Sequence, residues 1–274
     1  RERVAAYMNK ATKEAKVHTS WVNPNEQYDA AVREFVFRVL ANDPADPFLC
    51  DLQPLLRRVA YFGRFNALAA APLKIIAPGV PDIYQGNELW DLSLVDPDNR
   101  HPVDFDARQR ILEQLRRRLA EPGQQARQAL LHELLTCAHD GRVKLLVVYA
   151  ALQLRARLPE LFESGSYEAL QATGERAQHA VAFARVLGQK AVVIVVPRLV
   201  VQLAHGQLLP PQGPEVWGDT YLSLPPQAAK WRLRDVFTSE LILPEERNGE
   251  PALPLGGLTR QFPLALLERV PEGQ

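Results

Sequence analysis

Residues 74–106 read KIIAPGVPDIYQGNELWDLSLVDPDNRHPVDFD. Between Ile75 and Asp106 stand seven acids: Asp82, Glu88, Asp91, Asp96, Asp98, Asp104 and Asp106. One formal cation faces them, Arg100, with His101 beside it. Pro78, Gly79, Pro81, Gly86, Pro97 and Pro102 punctuate the stretch. The run Lys74-Ile75-Ile76-Ala77-Pro78 that enters it predicts a short strand. The stripe Phe105, Ile111, Leu112, Leu115 and Leu119 that leaves it predicts a helix from about Asp104. A strand ending in a long polar loop is where binding and chemistry concentrate, so the other segments read as what holds that loop.

Upstream, Arg1–Lys16 reads as a basic amphipathic helix, with Lys10 and Glu14 placed to pair at i, i+4. The irregular stretch His18–Asn25 leads to a second helix. Asn23 suits its N-cap, Pro24 its first position and Glu26 the capping box. Tyr28, Val32, Phe35, Val36 and Val39 share one face to about Leu40. His18 and Trp21 have two readings: lining a sugar site, or packing as an aromatic staple at the helix entry. Asp46-Pro47 starts a third helix, in which Pro54 is expected to break or kink the run unless it lies in the first turn, and Pro72 to end it.

Downstream, Gln124–Ala138 and Arg142–Leu158 predict two more helices, stopped at Gly141 and Pro159. The period then changes. Tyr167–Leu170, His179–Leu187, Ala191–Val196, Leu199–Leu203, Thr220–Leu224, Trp231–Val236, Leu241–Leu243 and Arg260–Leu264 predict strands, with Gly188-Gln189 as a two-residue hairpin turn. The expected division is a mainly helical part, 1–160, and an antiparallel β-sandwich, 161–274.

The bulk properties exclude several functions. Lys+Arg and Asp+Glu both number 32 among 274 residues, so no net field draws in nucleic acid or an anionic membrane. The apolar runs are far shorter than a membrane span of ~20 residues. Cys50 and Cys137 fit no metal or redox spacing, and no secretory leader opens the chain. A reduced cytoplasmic protein is expected. The start at Arg1, with helical sequence from the first residue, suggests a piece of something longer. His132-Glu133-Leu134-Leu135-Thr136 lacks the second His of a zinc-protease helix, and His139-Asp140 reads as a helix-end cap. Phosphate-loop, dinucleotide and nucleophile-elbow motifs are absent. No metal or cofactor is expected. Carboxylates, aromatics and amides remain, a palette suited to neutral polyhydroxylated ligands.

Pro78-Gly79-Val80-Pro81-Asp82-Ile83-Tyr84-Gln85-Gly86-Asn87-Glu88 resembles the segment at the eighth barrel strand of the α-amylase superfamily (glycoside hydrolase family 13). Within that superfamily, Lys13–Asn25, Glu88–Asp91 and Leu94–Phe105 resemble the maltooligosyltrehalose synthase family, as do Asp140–Lys144 and the sheet-rich tail. Asn87, where that family usually has Thr, and His101, where it often has Arg, depart from the pattern. The resemblance implies helices plus the last strand of a (β/α)8 barrel, followed by the β-sandwich. It implies conversion of the reducing-end α-1,4 linkage of a maltooligosaccharide to α,α-1,1 by a retaining mechanism. It also implies that the catalytic carboxylates precede this chain. The chain would then be a C-terminal portion, inactive alone, with a maltooligosaccharide and the N-terminal part of the same enzyme as its partners.

The candidate substrate-binding residues are Tyr84, Gln85, Glu88, Asp96, Asp98 and Arg100 of the loop, with His18 and Trp21. Arg100 has a structural alternative, pairing with Asp96 or Asp98 to hold the loop. Asp82 and Asp104 read as turn or cap residues. Two other functions stay open: another α-amylase-superfamily hydrolase or transferase, and a non-catalytic carbohydrate-binding or assembly module using Trp217 or Trp231.

Overall fold

The computed structural model describes residues 1–41, 43 and 45–271. Seven helices come first: α1 Glu2–Ala15, α2 Glu26–Val39, α3 Pro47–Ile76, α4 Phe105–Ala120, α5 Gln124–Thr136, α6 Arg142–Arg157 and α7 Pro159–Ser164. Strands β1 Ser166–Leu170, β2 Ala172–Thr173, β3 Ala180–Leu187 and β4 Lys190–Pro197 follow. After them come the short helices α8 Val200–Leu203 and α9 Pro214–Trp217, then β5 Tyr221–Ser223, β6 Arg232–Asp235, β7 Leu241–Ile242, β8 Glu245–Arg247 and β9 Glu250–Pro254. The one-turn helix α10 Leu255–Leu258 and strand β10 Ala265–Val270 end the order. Among the described residues, no helix is long and apolar enough to cross a membrane.

The chain forms two compact units, Arg1–Ala60 with Asp91–Asp104, and Tyr61–Trp90 with Phe105–Gln274. In the larger unit a six-stranded sheet, order β1-β3-β4-β10-β6-β7, and a four-stranded sheet, order β2-β5-β9-β8, are both antiparallel. Strand β4 explains its own composition. Val192, Ile194 and Val196 join a core with Phe62, Leu68, Leu134, Leu146 and Leu154 of the helices. Ala191, Val193 and Val195 join a second core with Leu222 and Leu253 of the smaller sheet. A strand covered on both faces loses the alternation of a half-exposed one and becomes a continuous apolar run. Helices and sheet therefore share one core. Trp217 and Trp231 are buried in the second core.

Several expectations are corrected. Lys74–Pro78 is not a strand: α3 runs to Ile76, so the expected last barrel strand does not form here. A strand needs ladder partners for its N–H and C=O groups, and among the described residues no neighbouring strand supplies them. Pro72 does not end α3. The missing hydrogen bond and ring clash cost about 3 kcal/mol, offset by burial of Leu68, Ala69, Pro72, Ile75 and Ile76. The helix also passes through Pro54, which nothing in the structure explains. The N-cap of α2 is Asn25 rather than Asn23, its side chain accepting the Tyr28 N–H at 3.1 Å. Leu199–Leu203 is no strand, because Leu199 takes a left-handed φ of 51° and opens α8. The strand expected at Arg260–Leu264 begins only at Ala265, after Pro263, which has no N–H for a ladder. The Gly188-Gln189 turn forms as read: Leu187 pairs with Lys190, and Gly188 has φ 59°.

Candidate functional site

The candidate residues fall into the two units, and each group is built differently. In the larger unit, α3 ends at Ile75 and Ile76, both fully buried. Arginines satisfy the carbonyls that a helix C-terminus leaves over. Arg155 of α6 donates to Ile75 O and Gly79 O, both at 2.6 Å. Arg185 of β3 reaches Ile76 O at 3.4 Å and the carbonyls of Leu161, Phe162, Gly165 and Ser166 at 2.9–3.2 Å. The stem of the loop is thus tied to both a helix and the sheet.

The tip of the loop is a turn in which the Asn87 N–H donates to Tyr84 O at 3.1 Å. Tyr84 and Gln85 are exposed. Glu88 is held by Arg108 of α4, Nε to Oε2 at 3.1 Å, and Arg108 Nη2 also donates to Gly86 O at 2.9 Å. The buried Lys144 of α6 donates to Asn87 Oδ1 at 3.3 Å and Leu89 O at 3.0 Å. Trp90 Nε1 donates to Ala138 O at 2.6 Å. Gly141 has φ 83°, and a Cβ there would stand 3.1 Å from Trp90 N and 3.2 Å from Leu89 Cβ. A glycine is what lets this corner approach the loop.

In the smaller unit, α1 collects the remaining candidates. Arg3 forms a two-pronged pair with Asp98 and donates to Leu92 O at 2.8 Å. Asp98 also accepts the Leu94 N–H at 2.6 Å. The Arg3 bond, then the Leu94 amide, hold its carboxyl down to about 2. Asp96 pairs with Lys10 at 3.3 Å and with Arg100. The Asp96–Pro97 peptide is cis. The His18 ring lies 5.0 Å from that of Tyr28 in the first turn of α2, the staple arrangement. Trp21 is exposed, with Lys13 Nζ 4.9 Å from its ring centroid. Arg100 contacts Asp96, the partner its structural alternative names, and keeps most of its side chain exposed.

Glu88, Asp91, Asp96 and Asp98 are thus engaged as cap or ion-pair partners. Asp91 Oδ1 accepts the Ser93 N–H at 2.9 Å, for example. Among the described residues, no group of three or more His, Cys, Asp or Glu is placed to hold a metal. Glu133 of the rejected zinc motif lies between Arg118 (3.0 Å) and Arg142 (2.7 Å). Asp140 accepts the Arg142 N–H at 2.9 Å, as a cap does.

No protein-family model matches the chain. Over 225 residues, 82% of its length, it is 36% identical to a protein of Mycobacterium tuberculosis (strain CDC 1551 / Oshkosh) described as a putative maltooligosyl trehalose synthase. The chain is homologous to the maltooligosyl trehalose synthases. It spans about a quarter of the length of the curated relatives it matches, 24%. The solved maltooligosyltrehalose synthase of Arthrobacter ramosus aligns with 98% of the chain at TM-score 0.74 and 32% identity, and the chain covers 30% of that structure. A second maltooligosyl trehalose synthase structure aligns with 98% at TM-score 0.66 and 27% identity, again with 30% of that structure covered. The mixture of helices and antiparallel sheet described above matches a part of a solved maltooligosyltrehalose synthase.

Sequence reasoning missed the cations that shape the loop of this synthase homologue: Arg3, Arg108, Lys144, Arg155 and Arg185. Arg3 stands on a helix that read as basic and amphipathic, and Arg108 falls at i+3 from Phe105 and i−4 from Leu112, in register with the apolar stripe of α4. Lys144 stands between Val143 and Leu145, and Arg185 between Ala184 and Val186, in otherwise apolar runs, and a cation at such a position was the available signal.

Proposed function

We propose that the chain is the C-terminal portion of a (1→4)-α-D-glucan 1-α-D-glucosylmutase. Such an enzyme turns the reducing-end α-1,4 linkage of a maltooligosaccharide into the α,α-1,1 linkage of maltooligosyltrehalose. The observation that carries this is the alignment of 98% of the chain with a maltooligosyltrehalose synthase at TM-score 0.74, joined to 36% identity with a second such protein. In this reading the chemistry is a retaining double displacement on carboxylates outside the chain. Water is excluded, so that the rotated reducing-end glucose is the acceptor. The present residues bind and orient: in the larger unit Tyr84, Gln85 and Glu88, and, taken separately, in the smaller unit Asp96, Asp98, Arg100, His18 and Trp21. The enzyme works in the cytoplasm, and the N-terminal part of the same enzyme is the partner. There a (β/α)8 barrel would offer Lys74–Pro78 the neighbouring strands it lacks here. The two sheets form the C-terminal sandwich.

The test is a product analysis with maltopentaose. The complete enzyme should remove reducing ends without releasing fragments, whereas new reducing sugar would identify a hydrolase. Turnover by residues 1–274 alone would overturn the reading of the chain as a non-catalytic portion. Trp217 and Trp231, two aromatics named for the alternative of a binding module, are both buried.

A further inference from the structure

We propose that Arg108 and Lys144 are positioning residues that preform the Gly86–Leu89 turn as a receptor for a vicinal diol of a glucosyl unit, an inference that rests on the carbohydrate role proposed above. The two cations come from different helices, α4 and α6, and neither belongs to the loop. Between them they hold four consecutive residues. Arg108 spans Gly86 O and the Glu88 carboxylate, at 2.9 and 3.1 Å. Lys144 spans the Asn87 carboxamide and Leu89 O, at 3.3 and 3.0 Å. Gly86 turns the chain at φ 91°, and Trp90 closes the turn on Ala138 O. The Lys144 ammonium lies 5.6 Å from the Trp90 ring centroid.

The turn therefore has its shape before any ligand arrives. Glu88 is pinned yet keeps 26% of its side chain exposed. An oriented carboxylate beside a guanidinium offers acceptors and donors together, which adjacent hydroxyls require. Tyr84, half exposed, stands at the start of the same turn as an apolar face for the ring. Preorganisation of this kind lowers the ordering cost of binding. It acts on ground state and transition state alike, so its loss falls on KM.

The test uses Arg108→Met, Arg108→Lys and Lys144→Met. In the 274-residue chain, amide exchange at residues 86–89 should rise about tenfold or more in both Met variants, while β3 and β4 keep their protection. In the complete enzyme, Arg108→Met should raise KM for maltopentaose about tenfold with kcat within about twofold, and Arg108→Lys should recover part of it. Exchange unchanged at 86–89, or raised equally across the sheet, overturns the clamp. Faster loop exchange with unchanged KM overturns the diol receptor. A complete wild-type enzyme that does not turn over maltopentaose overturns the function proposed above and with it the diol, while the exchange data still decide the clamp.

Discussion

Arg3 and Asp98, 95 residues apart in sequence, meet in a two-pronged pair, Nε to Oδ1 at 2.8 Å and Nη2 to Oδ2 at 2.7 Å. A guanidinium fork on a carboxylate fixes direction as well as distance. It fastens the 91–104 segment to α1. The folded-state pKa is depressed, from 3.8 to about 2. The pair's contribution is therefore complete above about pH 4 and is lost as pH falls through about 2. The Leu94 amide shift, followed by NMR, should titrate near pH 2 and move upward in Arg3→Met. A midpoint that does not move would refute the pairing.

Arg100 meets Asp96 with three quarters of its side chain exposed, 75%. Exposed pairs contribute about 0–1 kcal/mol. Arg100→Ala should therefore leave thermal unfolding nearly unchanged. If turnover of maltopentaose by the complete enzyme falls strongly all the same, Arg100 touches sugar. Unchanged turnover would leave it only as a fastener of Asp96.

Gly141 combines a positive φ with close contact to Leu89 and Trp90. Gly141→Ala should cost about 1–2 kcal/mol from the left-handed backbone alone, plus the shift of residues 89–90. Chemical denaturation measures the first part. The fluorescence of Trp90 against buried Trp217 and Trp231 reports the second.

Arg185 is buried against five backbone carbonyls rather than a carboxylate. Removing it orphans those acceptors, at about 1–3 kcal/mol for each left unsatisfied. Arg185→Met should destabilise strongly, and Arg185→Lys should not rescue, because one ammonium cannot fan out to the same carbonyls. Denaturation midpoints of the three proteins decide this.

Asp235 of β6 is buried and caps the Phe237 and Thr238 amides, at 2.7 and 3.1 Å. Burial pushes its carboxyl up from 3.8 to about 7, helped by Glu240, against the pull of those amides and of Arg127. Between these values the folded chain holds a proton that the unfolded chain has released. Stability from this group is therefore full below about pH 4, falls as pH rises to about 7, and is level above. Asp235→Asn should flatten that slope and melt higher than wild type at pH 8. A melting curve with the same pH slope in both proteins would refute it.

How much of this was legible in the sequence depended on how local each signal was. The β3–β4 hairpin was readable because Gly188 and two β-branched runs carry it within neighbouring residues. The helix stripes around Leu115, Leu134 and Leu146 were equally plain. Lys74–Ala77 was not: a short apolar run fits a buried strand or a buried helix turn, and its neighbours decide between them. At the site, the loop was recognisable from its acids and prolines. Its anchors were not, because half of the grip of Arg108 and Lys144 falls on backbone carbonyls, which leave no trace in the residue names, and their side-chain partners Glu88 and Asn87 lie 20 and 57 residues away.

That choice of acceptor has an evolutionary consequence. Ile75, Gly79, Gly86 and Leu89 are gripped through main-chain oxygens, which every amino acid carries. The grip survives replacement of Val80, Asp82, Tyr84 or Gln85, while the anchors on α4 and α6 must stay. Selection, or an engineer, is thus free to retune what the loop presents to a ligand without redesigning how the loop is built.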